Sequence, residues 1–167
     1  MTEKEPQALG IPREEILRIL DKITLFGGLD DSQLDTLLNL VGQVNYGTGE
    51  LIFSRGAQPS HIYIVLKGRV RLDFGVPDHP LAQLHFDAGD CFGETSAIGI
   101  QPHVASAIAD LPTELLVLSR KALLNLYETH TALFGLLVLN IAREAARRLH
   151  NTDRWISELS VEMAKRD

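Results

Sequence analysis

DAGDCFGETSAIGIQPHVASAIA, residues 87–109, divides into a strand, a glycine-marked turn, a very short helix, a loop at Gln101-Pro102 and a second strand over 104–108. Gly93 carries no Cβ, so the backbone there can pass close to a ligand. The amides of Glu94, Thr95 and Ser96 then open the short helix. N–H groups at a helix start lack intrahelical partners and attract anions. Nine residues after Glu94 comes His103, preceded by Pro102 and followed by the apolar run that begins at Val104.

Upstream, short β-rich runs fill 41–46, 51–54, 61–66, 69–74 and 81–86. Gly47, Gly49, Gly56, Pro59, Gly68, Gly75, Pro77 and Pro80 separate them. Many short strands with glycine and proline turns predict a sandwich or barrel rather than a parallel sheet. A last strand is expected over 113–118. On the N-terminal side, residues 1–10 read as a polar tail. Pro12 suits the first turn of a helix carrying Ile16, Leu17, Ile19, Leu20 and Ile23 at helical spacing. After a break at 26–29, Asp30 or Asp31 caps a second helix over 32–40, with Leu34, Leu37 and Leu38 inward.

Beyond Pro112 the pattern turns helical. Ser119 caps a helix over 120–127, and 131–165 reads as one long helix whose only glycine is Gly135. Val138, Ala145, Thr152 and Leu159 alternate with Ala142, Leu149, Ile156 and Met163 in a heptad. That pattern predicts a homodimer seam, the alternative being a helix lying on the barrel of its own chain. The charges along it, Arg143, Glu144, Arg147, Arg148, Asp153, Arg154 and Glu158 among them, are mixed in sign and read as a solvated face rather than a DNA-binding arm.

The 167 residues carry a net charge of −6, with 45% hydrophobic and 23% charged residues. That is the composition of a soluble globule, and the acidic balance argues against direct nucleic-acid binding. The single cysteine, Cys91, rules out an internal disulfide framework and fits a reducing compartment. The apolar run 132–142 is too short for a bilayer, and no signal core opens the chain, so a cytoplasmic protein without membrane contact is expected. His61, His79, His85, His103, His130 and His150 show no metal-ligand spacing. No nucleophile elbow accompanies Ser96 or Ser106. Neither an enzyme nor a metal or cofactor is expected.

The run FGE, an apolar turn, then Pro-basic-apolar-Ala-Ser-Ala resembles the phosphate-binding cassette of cyclic-nucleotide-binding domains, including those of catabolite activator and Fnr-type regulators. GTGELIFSRGAQPSHIYIVLKGRVRL, residues 47–72, is similar to the first half of the same domain. The resemblance covers about 25–160. It implies a mainly β fold with flanking α-helices: a double-stranded β-helix, or jelly roll, over 11–130 with N-terminal helices, and a C-terminal dimer helix over 131–167. It also implies a cAMP or cGMP ligand held by Phe92, Gly93, Glu94, Thr95, Ser96, His103 and Val104. Glu94 would hold the ribose 2′-hydroxyl and the backbone amides the phosphate. Ala146-Arg-Arg-Leu-His-Asn-Thr152 is similar to the long helix of the catabolite-activator group, which implies Thr152 on the base and Arg148 near the pocket. Asp153 departs from the small polar residue of that group. Family transcription factors continue into a helix-turn-helix domain. This chain ends at Asp167, so a free-standing sensor with a small-molecule effector and a separate protein output partner is expected.

His103 stands where the family carries arginine. Arginine offers a permanent charge and a two-pronged donor for phosphate, whereas imidazole begins near pKa ~6.5 and presents one donor per edge. The exchange is expected to weaken phosphate binding by about 2–3 kcal/mol, tens- to a hundredfold. The alternatives are a pocket for a non-nucleotide effector and a ligand-free dimerisation or protein-interaction module.

Overall fold

The computed structural model describes residues 4–75 and 83–164. Helix α1, Arg13–Ile19, starts after Pro12 as its proline and acidic first turn favour. It breaks at Ile19 into two 3-10 turns, Leu20–Lys22 and Thr24–Phe26, rather than running on to Ile23. Those turns bury Ile23, Leu25 and Phe26. Asp30 caps α2, Asp31–Leu38: its carboxylate accepts from Gln33 N at 2.8 Å while the Gln33 side chain accepts from Asp30 N at 3.1 Å. As expected, Leu34, Leu37 and Leu38 face inward.

The strands are β1 (Gln7–Ala8), β2 (Gly42–Tyr46), β3 (Leu51–Phe53), β4 (His61–Lys67), β5 (Arg69–Asp73), β6 (Gln83–Asp87), β7 (Cys91–Phe92), β8 (Ser106–Ala109) and β9 (Thr113–Ser119). Among the described residues they form two antiparallel sheets, ordered β1-β2-β9-β4-β7 and β3-β8-β5-β6. Residues 81 and 82 of the expected fifth strand, with Pro77, His79 and Pro80, lie outside the described residues. The mainly β double-stranded fold with flanking helices stands as expected.

Two departures are local. The segment expected to be a polar tail contributes β1, which pairs Gln7 with Gln43 and Ala8 with Gly42. Gly42 makes room for it, since a Cβ there would lie 2.5 Å from Pro6 Cβ. Lys4 ties the segment down through Asn45 O at 2.9 Å and Glu50 at 2.7 Å. The strand expected from Val104 begins only at Ser106. There the backbone of His103 is held by the 56–57 turn: its N–H donates to Ala57 O at 3.0 Å, and its carbonyl accepts from Gly56 N at 2.8 Å.

Aromatic and aliphatic side chains fill the space between the sheets, among them Phe53, Tyr63, Phe86, Phe92 and Leu115. A second core joins the outer face of the first sheet to the helices: Ile62, Ile64, Leu116 and Leu118 meet Ile16, Leu37, Leu126 and Leu137. Burying such side chains contributes about 1.5–3 kcal/mol each. Helix α4, Arg120–Thr129, is capped by Ser119, whose hydroxyl accepts from Ala122 N at 3.0 Å. Helix α5, Thr131–Ala164, follows. Asn140 staples it to the N-terminal turns, donating to Leu25 O at 3.1 Å and Gly27 O at 2.8 Å. The expected heptad does not lie evenly on the free face. Val138 and Ala145 are half-buried, whereas Ala142, Leu149, Thr152, Ile156, Leu159 and Met163 of the heptad are exposed, with Leu139 and Ala146 exposed beside them. No helix among the described residues is long and apolar enough to cross a membrane.

Candidate functional site

Strand β7 delivers the chain to Gly93 at φ +81°, the left-handed conformation that favours glycine. The close approach expected there is to protein: a Cβ would lie 3.2 Å from both His61 O and Tyr63 Cδ2. Helix α3, Glu94–Gly99, starts at once, with Ala97 N donating to Gly93 O at 2.9 Å. The turn drives Glu94 inward to 0% exposure and leaves Thr95 exposed and Ser96 half-buried. At the far end Ile100, exposed, takes φ +53°, a strained value for a β-branched residue.

Glu94 meets Arg148, which reaches down from α5. Arg148 Nη1 donates to Glu94 Oε1 at 2.8 Å, Nε donates to Glu144 Oε1 at 3.1 Å, and Nη2 donates to Cys91 O. Its guanidinium lies 4.8 Å from the Phe86 ring centroid. Glu94 Oε2 is buried and has no hydrogen-bond partner among the described residues. Burial pushes the Glu94 carboxyl above the ordinary glutamate range; Arg148 and the residue's own backbone amide offset part of that, and the nearby Glu144 adds to it. Burial also acts to raise Glu144, but the Arg147 hydrogen bond and the Arg148 charge hold it below the ordinary range. Burial pushes the Cys91 thiol up to about 12, so it is no nucleophile.

His103 points into the barrel. It is 4% exposed, and its ring stacks on Phe53 with centroids 3.7 Å apart and planes 10° apart. Phe53 continues into Tyr63 and Phe92, themselves stacked at 5.0 Å and 11°. Phe92 is thus an inner wall of the site. Val104 is 66% exposed and points away. Thr152 is exposed, and its hydroxyl donates to Arg148 O on its own helix at 3.0 Å.

The fold therefore gathers Gly93, Glu94, Phe92 and Arg148 into one cluster and brings His103 to it through the aromatic stack. Thr95, Val104 and Thr152 face solvent. Sequence reasoning missed Glu144, read as part of a solvated face but only 5% exposed, and Phe53 and Phe86. The available signal for Glu144 was its place four residues before Arg148, on the same helix face as Asn140. Two surface clefts, of about 600 Å³ along residues 4–10 and β2 and about 260 Å³ beside α1, share no residue with this cluster. Among the described residues no group of His, Cys, Asp and Glu could hold a metal ion.

Residues 43–130 match the model of the cyclic nucleotide-binding domain. The chain is 35% identical over 144 residues to a cyclic AMP receptor protein of Thermus thermophilus, covering 84% of this chain and 64% of that protein. It thus spans less than two thirds of that relative's length. Its structure is similar to that of the Thermus thermophilus catabolite activator protein, with TM-score 0.70 and 31% identity over 82% of this chain and 63% of the other. A cyclic nucleotide-binding domain from Methylobacillus flagellatus matches with TM-score 0.73 and 28% identity, covering 87% of this chain and 83% of that one.

Proposed function

The chain belongs to the cyclic nucleotide-binding domain family, and from that premise we propose that it is a sensor whose Glu94 binds the ribose of a cyclic nucleotide. One observation carries this reading: a fully buried carboxylate with one oxygen fixed by Arg148 and the other without a partner. A buried acceptor left unsatisfied costs about 1–3 kcal/mol. A ligand hydroxyl donating to Oε2 offsets that cost and keeps the carboxylate charged. The aromatic wall of Phe86 and Phe92 excludes water from the bond. The amides of Thr95 and Ser96, which precede the first hydrogen bond of α3, serve the phosphate. Cyclic AMP is the leading ligand because the Thermus thermophilus relative is a cyclic AMP receptor. The signal leaves through Arg148 into α5, whose exposed apolar stripe packs on a second copy and makes the homodimer.

His103 supports a second reading, a non-nucleotide effector. Its buried ring stacks face to face on Phe53, inside the barrel. Calorimetric titration with cAMP and cGMP at about pH 6 and pH 8 separates the two, run on the wild type and Glu94→Gln. Saturable binding that weakens at least about tenfold in the variant supports the nucleotide sensor, the loss being that of a hydrogen bond to a charged group. Absence of heat from folded protein, or equal binding by the variant, rejects it.

A further inference from the structure

We propose that Glu144 is a positioning residue: it divides the Arg148 guanidinium so that Glu94 keeps one oxygen unpaired for a ribosyl ligand. The inference rests on the ribose reading of Glu94 given above.

Arginine and a carboxylate left to themselves frequently pair through two parallel N–H bonds. In that arrangement both Glu94 oxygens would be taken. Here both two-pronged edges of the guanidinium are split. Nε goes to Glu144 at 3.1 Å, Nη2 goes to the Cys91 carbonyl, and only Nη1 reaches Glu94, at 2.8 Å. Phe86 lies beneath the guanidinium, 4.8 Å from ring centroid to the guanidinium carbon. Glu144 is well placed to impose this division. It sits one helical turn before Arg148, and its side chain is 6% exposed. Arg147 Nη2 holds both of its oxygens, at 2.6 and 2.8 Å, and Thr24 Oγ1 donates from 3.5 Å. Held from both sides, Glu144 draws the Nε edge of Arg148 toward its own helix. Glu94 Oε2 is left buried and unpartnered as the geometric result.

Glu144→Leu removes the pull. Arg148 then turns both prongs to Glu94 and occupies Oε2. The predicted readout is the ratio of affinities for cyclic AMP and 2′-deoxy cyclic AMP. Both ligands carry the same phosphate, so the lost charge at 144 cancels in the ratio. In the wild type the 2′-hydroxyl should be worth about 10- to 100-fold; in the variant the ratio should fall toward one. Thermal unfolding checks that the variant is folded, and Glu144→Met carries the same prediction should the leucine variant not fold. A wild-type-like ratio in a folded variant overturns the proposal. A crystal structure of the ligand-free variant provides the second reading: two Arg148 donors on Glu94 support it, and a single donor as in the parent overturns it. A wild type insensitive to the 2′-hydroxyl would defeat the ribose reading, and the crystal structure alone would then decide the role of Glu144.

Discussion

Replacing Arg148 by methionine should expose how strongly α5 and the cassette are coupled. The substitution keeps an unbranched side chain but removes the guanidinium over Phe86 and strands Glu94, which has 0% side-chain exposure. Breaking a buried ion pair from one side costs about 3–5 kcal/mol. Arg148 retains 27% side-chain exposure and Glu144 keeps Arg147, so the expected loss is reduced to about 2–3 kcal/mol. Glu94→Gln removes the stranded charge. A cycle of Arg148→Met, Glu94→Gln and the double variant, followed by urea unfolding, should therefore give a coupling energy of about 2 kcal/mol. The sign with pH is also fixed. Burial raises the Glu94 carboxyl in the native state above its unfolded value. Below the unfolded value the group is protonated in both states and costs nothing; as pH rises through the raised native value, a charge must be held inside and stability falls. Loss of Arg148 raises the Glu94 carboxyl further and deepens that fall, so the deficit of Arg148→Met should be largest above the variant's raised value and shrink as pH drops through it. Additivity of the two substitutions within about 0.5 kcal/mol, or a deficit that grows on acidification, would refute the coupling.

Gly93→Ala forces a side chain into a left-handed turn and against Tyr63 and His61 O, each 3.2 Å away. It should lower the urea-unfolding free energy by about 2–3 kcal/mol, and a change under about 0.5 kcal/mol would show that the turn relaxes freely. His103→Arg should tighten cyclic AMP about tenfold without tightening adenosine, which lacks the phosphate; calorimetry with both ligands tests this, and equal change for both would place residue 103 away from the phosphate. Sedimentation of the full chain should give a dimer that Leu149→Glu, on the exposed stripe of α5, converts to monomer. An unaltered mass for the variant would move the interface elsewhere.

The barrel was legible because glycine and proline mark its corners and because strand and helix periods differ. Asp30, offered with Asp31 as the alternative, and Ser119 announced their caps in the same way, whereas the Gln33 half of the Asp30 capping box came only with the structure. The cassette was legible only through the family pattern, since Glu94 at the start of a short helix reads equally well as a dipole-favoured surface charge. Its burial comes from the turn at Gly93 and from α5 lying across it. Glu144 was illegible for a related reason. On sequence alone it belongs to a mixed-charge helix, and only the packing of α5 on Thr24 and Cys91 makes it an interior group. Inward His103 and outward Val104 follow from backbone bonds to Gly56 and Ala57, distant contacts that no local pattern announces. The heptad positions from Leu149 onward lie on the exposed part of α5, while Val138 and Ala145 rest partly against their own domain, a packing that the heptad alone does not announce.

The most direct test of a ribose held by Glu94 is competition of cyclic AMP against 2′-deoxy cyclic AMP for the wild-type protein at neutral pH. A preference of at least about tenfold for the ribosyl ligand, abolished by Glu94→Gln, is the predicted result. Equal affinity for the two ligands, or a preference that survives Glu94→Gln, would contradict it.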